Sequence, residues 1–469
     1  MSRRRLVPAV AATVVLTGGA TAALVAAWVW GEPGRTPSPA ATATATPTPT
    51  PEAAPTVLAA PSATSAPGAP PLAAVVGRAL ADPALRGRVA ASVVDLRSGA
   101  TVFGADPDDR RIPASALKIL TAAAALHTIG PDHVFTTRVV AGSAGGEIVI
   151  VGGGDPTLTV DPKPGMYDAT MLASLADRSA AALRASGISR VQLVVDDGLF
   201  TGPAVNPAWR PSYVSTGAVA PVTALEVDGG RLTPGFRRRA ADPSIAAAES
   251  FARLLADRGV QVAGRPVRGE APPGADEIAA VTSAPLARVV EQMLLVSDND
   301  AAEVLARHVA WATGRPATVQ DAAAAVVDVV QAVGVDLSGA VVLDGSGLAR
   351  GNALSPSMIT ATLAAAADSN RPELRAVLTG LPVARFTGTL DERFDAPAAA
   401  RGAGVVRAKT GTLDGVRTLA GTVVASDGTA YGFAVLADEI RNATAAAAAL
   451  DHFAALLADC GCAPARAAA

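Results

Sequence analysis

From Leu72 onward, short apolar runs alternate with turn clusters, and their spacing predicts most of the secondary structure. Leu72–Ala81 has helical spacing. Val89–Leu96 reads as a strand, and Ser98-Gly99 turns it into Ala100–Phe103, which predicts a β-hairpin. Ile112-Pro113-Ala114-Ser115 then leads into an Ala/Leu-rich helix ending near Leu126. After Gly145 the pattern changes. A strand at Glu147–Val151 meets the turn Gly152-Gly153-Gly154-Asp155-Pro156, followed by a helix over roughly Ala169–Ala185 and a strand at Val191–Val195. The stretch Phe200–Gly235 is rich in Pro, Gly and Thr, and a helix is expected near Ile245–Asp257. Helical spacing resumes at Leu286–Val296 and Ala301–Ala310. Strands are predicted at Val405–Lys409, Val416–Val424 and Tyr431–Leu436, and a closing helix at Ala445–Leu457. A hairpin and helix early, with helices, strands and a final helix late, predict one mixed domain split by an insertion.

The first residues have a different character. Arg3, Arg4 and Arg5 precede an uncharged run from Leu6 to Trp30. At 1.5 Å per residue such a helix crosses a bilayer core of about 30 Å. The leading arginines favour a cytoplasmic N-terminus and an exported remainder. Two readings stand: a signal peptide cut at a small-x-small site such as Ala20-Thr21-Ala22, or a retained anchor, which better explains the long run and Trp28 and Trp30 at its end. From about Glu32 to Pro71 the chain is mostly Pro, Thr and Ala, as in Ala45-Thr46-Pro47-Thr48-Pro49, and cannot build a core. The expected organisation is therefore an anchor or signal over 1–31, a disordered linker over 32–71, a catalytic domain over 72–144 and 281–469, and an inserted domain over 145–280.

Composition narrows the function classes. The length of 469 residues exceeds one ordinary domain. Half of the residues are hydrophobic but only 3% aromatic, so the cores are made of small side chains. The net charge of -3 is mixed along the chain with no basic block, which argues against a nucleic-acid partner. His127, His133, His308 and His452 lack metal-ligand spacing, and neither a metal nor a cofactor is expected.

Three short motifs carry the chemistry. Ser115-Ala116-Leu117-Lys118 is S-x-x-K, Ser297-Asp298-Asn299 is S-x-N, and Lys409-Thr410-Gly411-Thr412 contains K-T-G. Each alone arises by chance; in this order they point to an acyl-transferring serine enzyme. Lys118 lies one helical turn beyond Ser115 on the same face. A serine hydroxyl needs a base to become a nucleophile, and a lysine is that base only with a depressed pKa, through burial or a nearby cation such as Lys409. Ser297 would hand a proton to the leaving amine and Asn299 would hold the substrate amide. Ser297 or Asn299 could equally be an ordinary helix N-cap. Lys409 and Thr410 would bind a terminal carboxylate, and Gly411 would let substrate backbone approach. The N–H of Thr412, with that of Ser115, would form an oxyanion hole.

These motifs resemble those of the serine penicillin-binding proteins and β-lactamases, and finer features resemble the D-alanyl-D-alanine carboxypeptidase/endopeptidase family, the low-molecular-mass class C penicillin-binding proteins. Gly154-Asp155-Pro156-Thr157-Leu158, Asp196-Asp197-Gly198-Leu199-Phe200, Pro221-Val222-Thr223-Ala224-Leu225, Asp344 to Asn352, and Gly388-Thr389-Leu390 with Arg393-Phe394 are similar to that family's motifs. The resemblance spans about residues 72–459. It implies an α/β (α+β) chain with the serine β-lactamase/transpeptidase-like fold: a sheet flanked by helices plus an all-helical lobe, interrupted by one inserted α/β domain. It also implies penicillin binding and action on peptidoglycan peptides outside the cytoplasm. The Gly154-Asp155-Pro156 turn is read as structural. Side-chain recognition would involve the segment Trp209–Thr216 and Arg350, and the absence of a carboxylate from that segment leaves open a preference for a free-amine diaminopimelate chain. The E-x-x-L-N loop of many β-lactamases is absent; after Glu373 come Leu374-Arg375-Ala376-Val377. A catalytically dead scaffold is disfavoured by the three intact motifs. The two cysteines, Cys460 and Cys462, are expected to form a small local disulfide across Gly461, with free or intermolecularly paired thiols as the alternative.

Overall fold

The computed structural model describes residues 71–85, 88–160, 170–233 and 236–460. The expected N-terminal anchor or signal lies outside them, as does all of the linker except Pro71. Among the described residues no helix is long and apolar enough to cross a membrane.

In chain order the described residues open with α1 (Leu72–Leu80), the hairpin β1 (Arg88–Asp95) and β2 (Thr101–Ala105), and α2 (Lys118–Ile129). The next segment holds β3 (Thr136–Ala141), β4 (Glu147–Val151), α3 (Leu172–Ala185), β5 (Arg190–Asp196), the single turn α4 (Ser212–Ser215) and α5 (Pro243–Asp257). It closes with β6 (Gln261–Val262), β7 (Val267–Arg268) and β8 (Glu277–Thr282). Helices follow: α6 (Leu286–Val296), α7 (Asn299–Ala312), α8 (Val319–Ala332), α9 (Pro356–Ala367) and α10 (Arg375–Thr379). The chain ends on β9 (Val406–Leu413), β10 (Val416–Val424), β11 (Ala430–Asp438) and α11 (Ala443–Asp459).

The first sheet has the order β2-β1-β11-β10-β9, all antiparallel, so the early hairpin docks on the last strand of the chain. β11 is buried on both faces, as its nearly unbroken apolar sequence requires. One face packs Leu419, Phe433 and Val435 against α1 and α11. The other presents Ala420, Ala434 and Leu436 to a helical lobe of α2, α6, α7, α8, α9 and α10. Small side chains on both sides let these layers approach closely, the packing consequence of an Ala/Val-rich composition. β9 is an edge strand, which leaves a row of backbone groups open beside the lobe.

The second sheet, β6-β5-β4-β3-β8, draws only on residues 136–282 and mixes parallel with antiparallel pairs. Its core packs α3 and α5 on one face. β3 and β8 are antiparallel neighbours, and Ser283 N–H donates to the Phe135 carbonyl at 2.8 Å. The chain thus leaves for this sheet and returns at one point of the lobe. The expected Cys460–Cys462 disulfide involves Cys462, which lies outside the described residues; Cys460 itself is buried and carries no free thiol.

Candidate functional site

Ser115 sits in a 3-10 turn, Ala114–Leu117, that feeds directly into α2. The residue before it, Ala114, has φ of 47°, a region that non-glycine residues rarely occupy and that marks stored local strain. Opposite, α6 ends with Ser297 in the left-handed conformation (φ 59°, ψ 42°). The next helix is capped by Asp298, whose carboxylate accepts from Ala301 N–H at 3.1 Å. The ordinary capping role therefore falls to neither Ser297 nor Asn299. Among the described residues the Ser297 hydroxyl makes no hydrogen bond, and Ser297 and Asn299 line one cleft of about 580 Å³.

Lys118 joins two of the motifs. Its Nζ is 3.0 Å from Ser115 Oγ, 2.7 Å from Asn299 Oδ1 and 2.7 Å from the Ser346 carbonyl. The Asn299 amide is oriented from its other end, because Nδ2 donates to the Ala218 carbonyl at 2.8 Å. That leaves Oδ1 for the lysine. An ammonium has three hydrogens for these three neighbours. A neutral amine has two, and both are claimed by carbonyl oxygens that can only accept. Its lone pair is then directed at the Ser115 hydroxyl, the arrangement a general base requires. Lys118 is fully buried, and desolvation pushes its pKa down to about 8. The neighbouring carboxyls of Asp344 and Glu303 pull the other way without cancelling this. Of the two expected sources, burial and a nearby cation such as Lys409, burial is the one that depresses Lys118. The repulsion falls on Lys409, which burial and Lys118 together hold well below the ordinary lysine value.

Lys409, Thr410, Gly411 and Thr412 lie within β9 rather than ending it, since the strand runs on to Leu413. Lys409 is fully buried and donates to the Thr410 carbonyl at 2.8 Å, while Thr410 Oγ1 is 3.0 Å from Thr389 Oγ1. Ala384 N–H donates to the Val406 carbonyl, and Ala408 N–H donates to the Pro382 carbonyl. Both residues thus direct their backbone groups away from β10. With a strand period of two, Thr410 and Thr412 also face the open edge. Gly411 plays a different part from the one expected. A Cβ there would lie 2.0 Å from Thr418 Oγ1 and 2.9 Å from the Pro113 carbonyl, so its bare backbone makes room for the protein and not for substrate. Thr418 Oγ1 donates to that carbonyl at 3.0 Å, tying the sheet to the turn that carries Ser115.

The loop after α8 holds the site from below. Asp344 accepts from Trp209 Nε1, Gly347 N–H, Ala349 N–H and Asn352 Nδ2, at 2.6–2.9 Å. Glu303 accepts from the N–H groups of Gly345 and Ser346, and burial beside Asp344 pushes its pKa up to about 8. Neither acid was singled out for a role from sequence. The signal available was the spacing Asn299, Glu303, Arg307, a polar stripe along an otherwise apolar buried helix. Trp209 is buried with its N–H spent on Asp344, so within the segment 209–216 the cleft is lined by Tyr213 and Thr216. Arg350 stands apart from the other candidates: its guanidinium donates to the Asp414 carbonyl in the β9–β10 turn and borders a separate cavity with Arg88 and Asp438. The Gly154 carbonyl lies 2.9 Å from His308 Nε2, and burial holds His308 neutral with a pKa of about 4. That contact fits a structural turn. No group of His, Cys, Asp and Glu among the described residues could hold a metal ion.

Gly347 locks the loop against the turn that carries Ser115. Its φ is +85°, and a Cβ there would lie 1.9 Å from the Ala114 carbonyl oxygen and 3.2 Å from Ser115 N. These are backbone atoms with no room to give. Gly347→Ala is expected to lower stability by about 1–3 kcal/mol, the range for a residue forced into a strained conformation, and to slow acylation at Ser115 by displacing it. Thermal unfolding together with penicillin-labelling rate measures both effects, and a variant unchanged in both would contradict the contact.

The sequence matches the D-Ala-D-Ala carboxypeptidase 3 (S13) family over residues 72–238 and 233–458. Carboxypeptidase Rv3627c of Mycobacterium tuberculosis is 37% identical over 425 residues, spanning 87% of this chain and 89% of that protein. A D-alanyl-D-alanine carboxypeptidase of Actinomadura sp. is 30% identical over 435 residues, spanning 74% and 78%. The crystal structure of penicillin binding protein 4 from Haemophilus influenzae superposes with a TM-score of 0.67 at 21% identity, covering 81% of this chain and 97% of that one. It shows the same mixed fold.

Proposed function

The chain belongs to the D-Ala-D-Ala carboxypeptidase 3 (S13) family and is a serine-type carboxypeptidase, and from that premise we propose that Ser115 attacks the penultimate D-alanine carbonyl of a peptidoglycan stem peptide. The single observation carrying this assignment is the Lys118 amine, buried, depressed in pKa and 3.0 Å from Ser115 Oγ. Lys118 takes the hydroxyl proton as the Ser115 Oγ–carbonyl carbon bond forms. The Ser115 and Thr412 N–H groups hold the developing oxyanion. Ser297, whose hydroxyl is uncommitted, relays a proton to the leaving amine as the peptide bond breaks. Water then releases the shortened peptide from Ser115. Lys409 and Thr410 hold the terminal carboxylate, and Asn299 holds both Lys118 and the substrate amide. A β-lactam mimics the D-Ala-D-Ala end and acylates the same serine; a relative's structure has been solved complexed with a β-lactam.

Action on peptidoglycan places the enzyme outside the cytoplasm. We assign the tether to the apolar run 6–30, retained as an anchor, with 32–71 as spacer. The inserted domain expected over 145–280 is read with wider bounds, 136–282, because β3 already belongs to the second sheet and the chain leaves and returns at Phe135 and Ser283. Cleavage of the terminal D-alanine and of a D-alanyl cross-link use the same acyl-enzyme. Purified muropeptide monomers and cross-linked dimers are both expected to be cut after D-alanine. Lys409→Ala should raise KM for the carboxylate-ended monomer by at least tenfold, the loss of one charge-assisted contact. Monomer and dimer both left intact would remove the proposed activity.

A further inference from the structure

We propose that Asp300 is a positioning residue for proton transfer at Ser115: with Arg239 it clamps the wall 217–220, and that wall sets which end of the Asn299 amide faces Lys118. This rests on the reading of Lys118 as general base given above. Asn299 and Asp300 are the first two residues of α7, so their side chains leave the helix about 100° apart. Asn299 turns to Lys118, with Oδ1 2.7 Å from Nζ. Asp300 turns to the wall and is buried there. Asn299 Nδ2 donates to the Ala218 carbonyl at 2.8 Å, and Ala220 N–H donates to Asp300 Oδ1 at 2.7 Å. Neighbouring residues of one helical turn thus grip the wall at two points. Between those points Val219 is buried in one apolar cluster with Trp209 and Val304.

Arg239 supplies a third grip. Its Nη2 pairs with Asp300 Oδ2 at 2.8 Å and donates to the Gly217 carbonyl at 3.3 Å, and its Nη1 donates to the Gly229 carbonyl. Gly229 makes room for the pair: its φ is +59°, and a Cβ would lie 3.0 Å from Asp300 Oδ2 and 3.2 Å from Arg239 Nη1. Glu226, Asp298 and Arg231 complete the charged surroundings of Asp300. Burial and Asp298 push its carboxyl up in pKa, and Arg239 pulls it down. Stability alone does not account for two charges in this place. Both side chains are at most 5% exposed, and a buried ion pair commonly gains little over apolar residues of the same volume, because desolvation offsets the attraction. What the pair adds is direction, since each oxygen of Asp300 is assigned to one donor and hydrogen bonds fix angle as well as distance.

Direction matters because the two ends of an amide differ. Asn299 Oδ1 can only accept, so it takes an N–H of Lys118 and leaves the amine lone pair to Ser115. Turned over, the amide would present Nδ2, a donor. That group would bind the lone pair and withdraw it from the serine. It would also repel the ammonium and so lower the pKa of Lys118. The Ala218 carbonyl prevents the turn, because it too can only accept and therefore holds Nδ2. Asp300 and Arg239 keep that carbonyl in place through Ala220 and Gly217.

The test follows acylation of the full chain by penicillin between pH 6 and 9, with the rate taken per folded molecule from intact mass and thermal unfolding. Asp300→Asn leaves Arg239 unpaired. It is expected to lower the plateau rate about ten- to a hundredfold, the cost of slightly misplacing a reacting group, and to move the midpoint of the rising limb to lower pH. Asp300→Glu keeps the charge but is one methylene too long for the Ala220 bond, and it carries the test if Asp300→Asn does not fold. A smaller plateau loss is expected from it. Its midpoint shift reports the amide alone, because the charge of Asp300, which itself raises Lys118, is retained. Asp300→Asn combined with Arg239→Gln rebuilds a neutral hydrogen-bonded pair, and its plateau should return to within about fivefold of native, the worth of one neutral hydrogen bond. A pair that only stabilises the fold would lower the unfolding temperature and leave the plateau and midpoint of folded protein unchanged. That result in either folded single variant overturns the positioning role alone. A native chain without a rising limb overturns the Lys118 base and the clamp with it.

Discussion

Replacing Ser115 with alanine is expected to abolish covalent penicillin labelling while leaving the protein folded. The hydroxyl is the only atom lost, and its partner in the structure is Lys118 Nζ. Lys118 keeps its two carbonyl acceptors, Asn299 Oδ1 and the Ser346 carbonyl, so no buried polar group is left without a bond. The strained turn at Ala114 is fixed by Gly347, Gly411 and Thr418 and not by the serine side chain. Stability should therefore stay within about 1 kcal/mol of the native chain. Labelling has no such reserve. The nearby serine, Ser297, has no base within hydrogen-bonding distance among the described residues, so it cannot replace the nucleophile. Intact-mass measurement after exposure to penicillin decides the matter. An acyl adduct retained by the folded variant would place the nucleophile elsewhere.

What the sequence could and could not reveal follows from the range of the interactions. The S-x-x-K pair was legible because one helical turn brings residues three apart together, whatever the rest of the chain does. Residues Val416–Val424 and Leu286–Val296 were legible with exact bounds because strong apolar periodicity ends at clear turn or cap signals. β3 and β8 were not marked as strands in advance. Thr136, Thr137 and Arg138 open β3 with polar residues, and its pairing with β8 joins segments far apart in the chain. The same limit hid the support of the site. The Arg239–Asp300 pair, the reach of Asp344 to Trp209 and the clasp of Gly347 on Ala114 are all long-range contacts. Gly411 shows the subtler case. Its identity pointed to a close approach, but only the register of β9 against β10 reveals which side comes close.

Lys118→Ala is expected to slow acylation by about two to four powers of ten, the usual contribution of a positioned general base, and to change the shape of the pH profile. In the native enzyme the reactive form is the neutral amine. With a pKa of about 8, about one amine in ten is neutral at pH 7. The second-order acylation rate should therefore rise with pH and level off above about 8, and it should fall as the amine gains a proton. The sign is fixed by the role: a lysine acting as a cation would give a rate that declines through the same range. Removing the amine removes the limb, so the residual rate of Lys118→Ala should be nearly flat between pH 6 and 9. The variant also leaves Asn299 Oδ1 and the Ser346 carbonyl without their buried donor, which costs about 1–3 kcal/mol for each group not reached by water. Thermal unfolding must accompany the kinetics so that a loss of folded protein is not read as a loss of base. The decisive comparison is the folded variant at neutral pH: acylation near the native rate, or a native limb that persists without Lys118, would assign the proton transfer to another group.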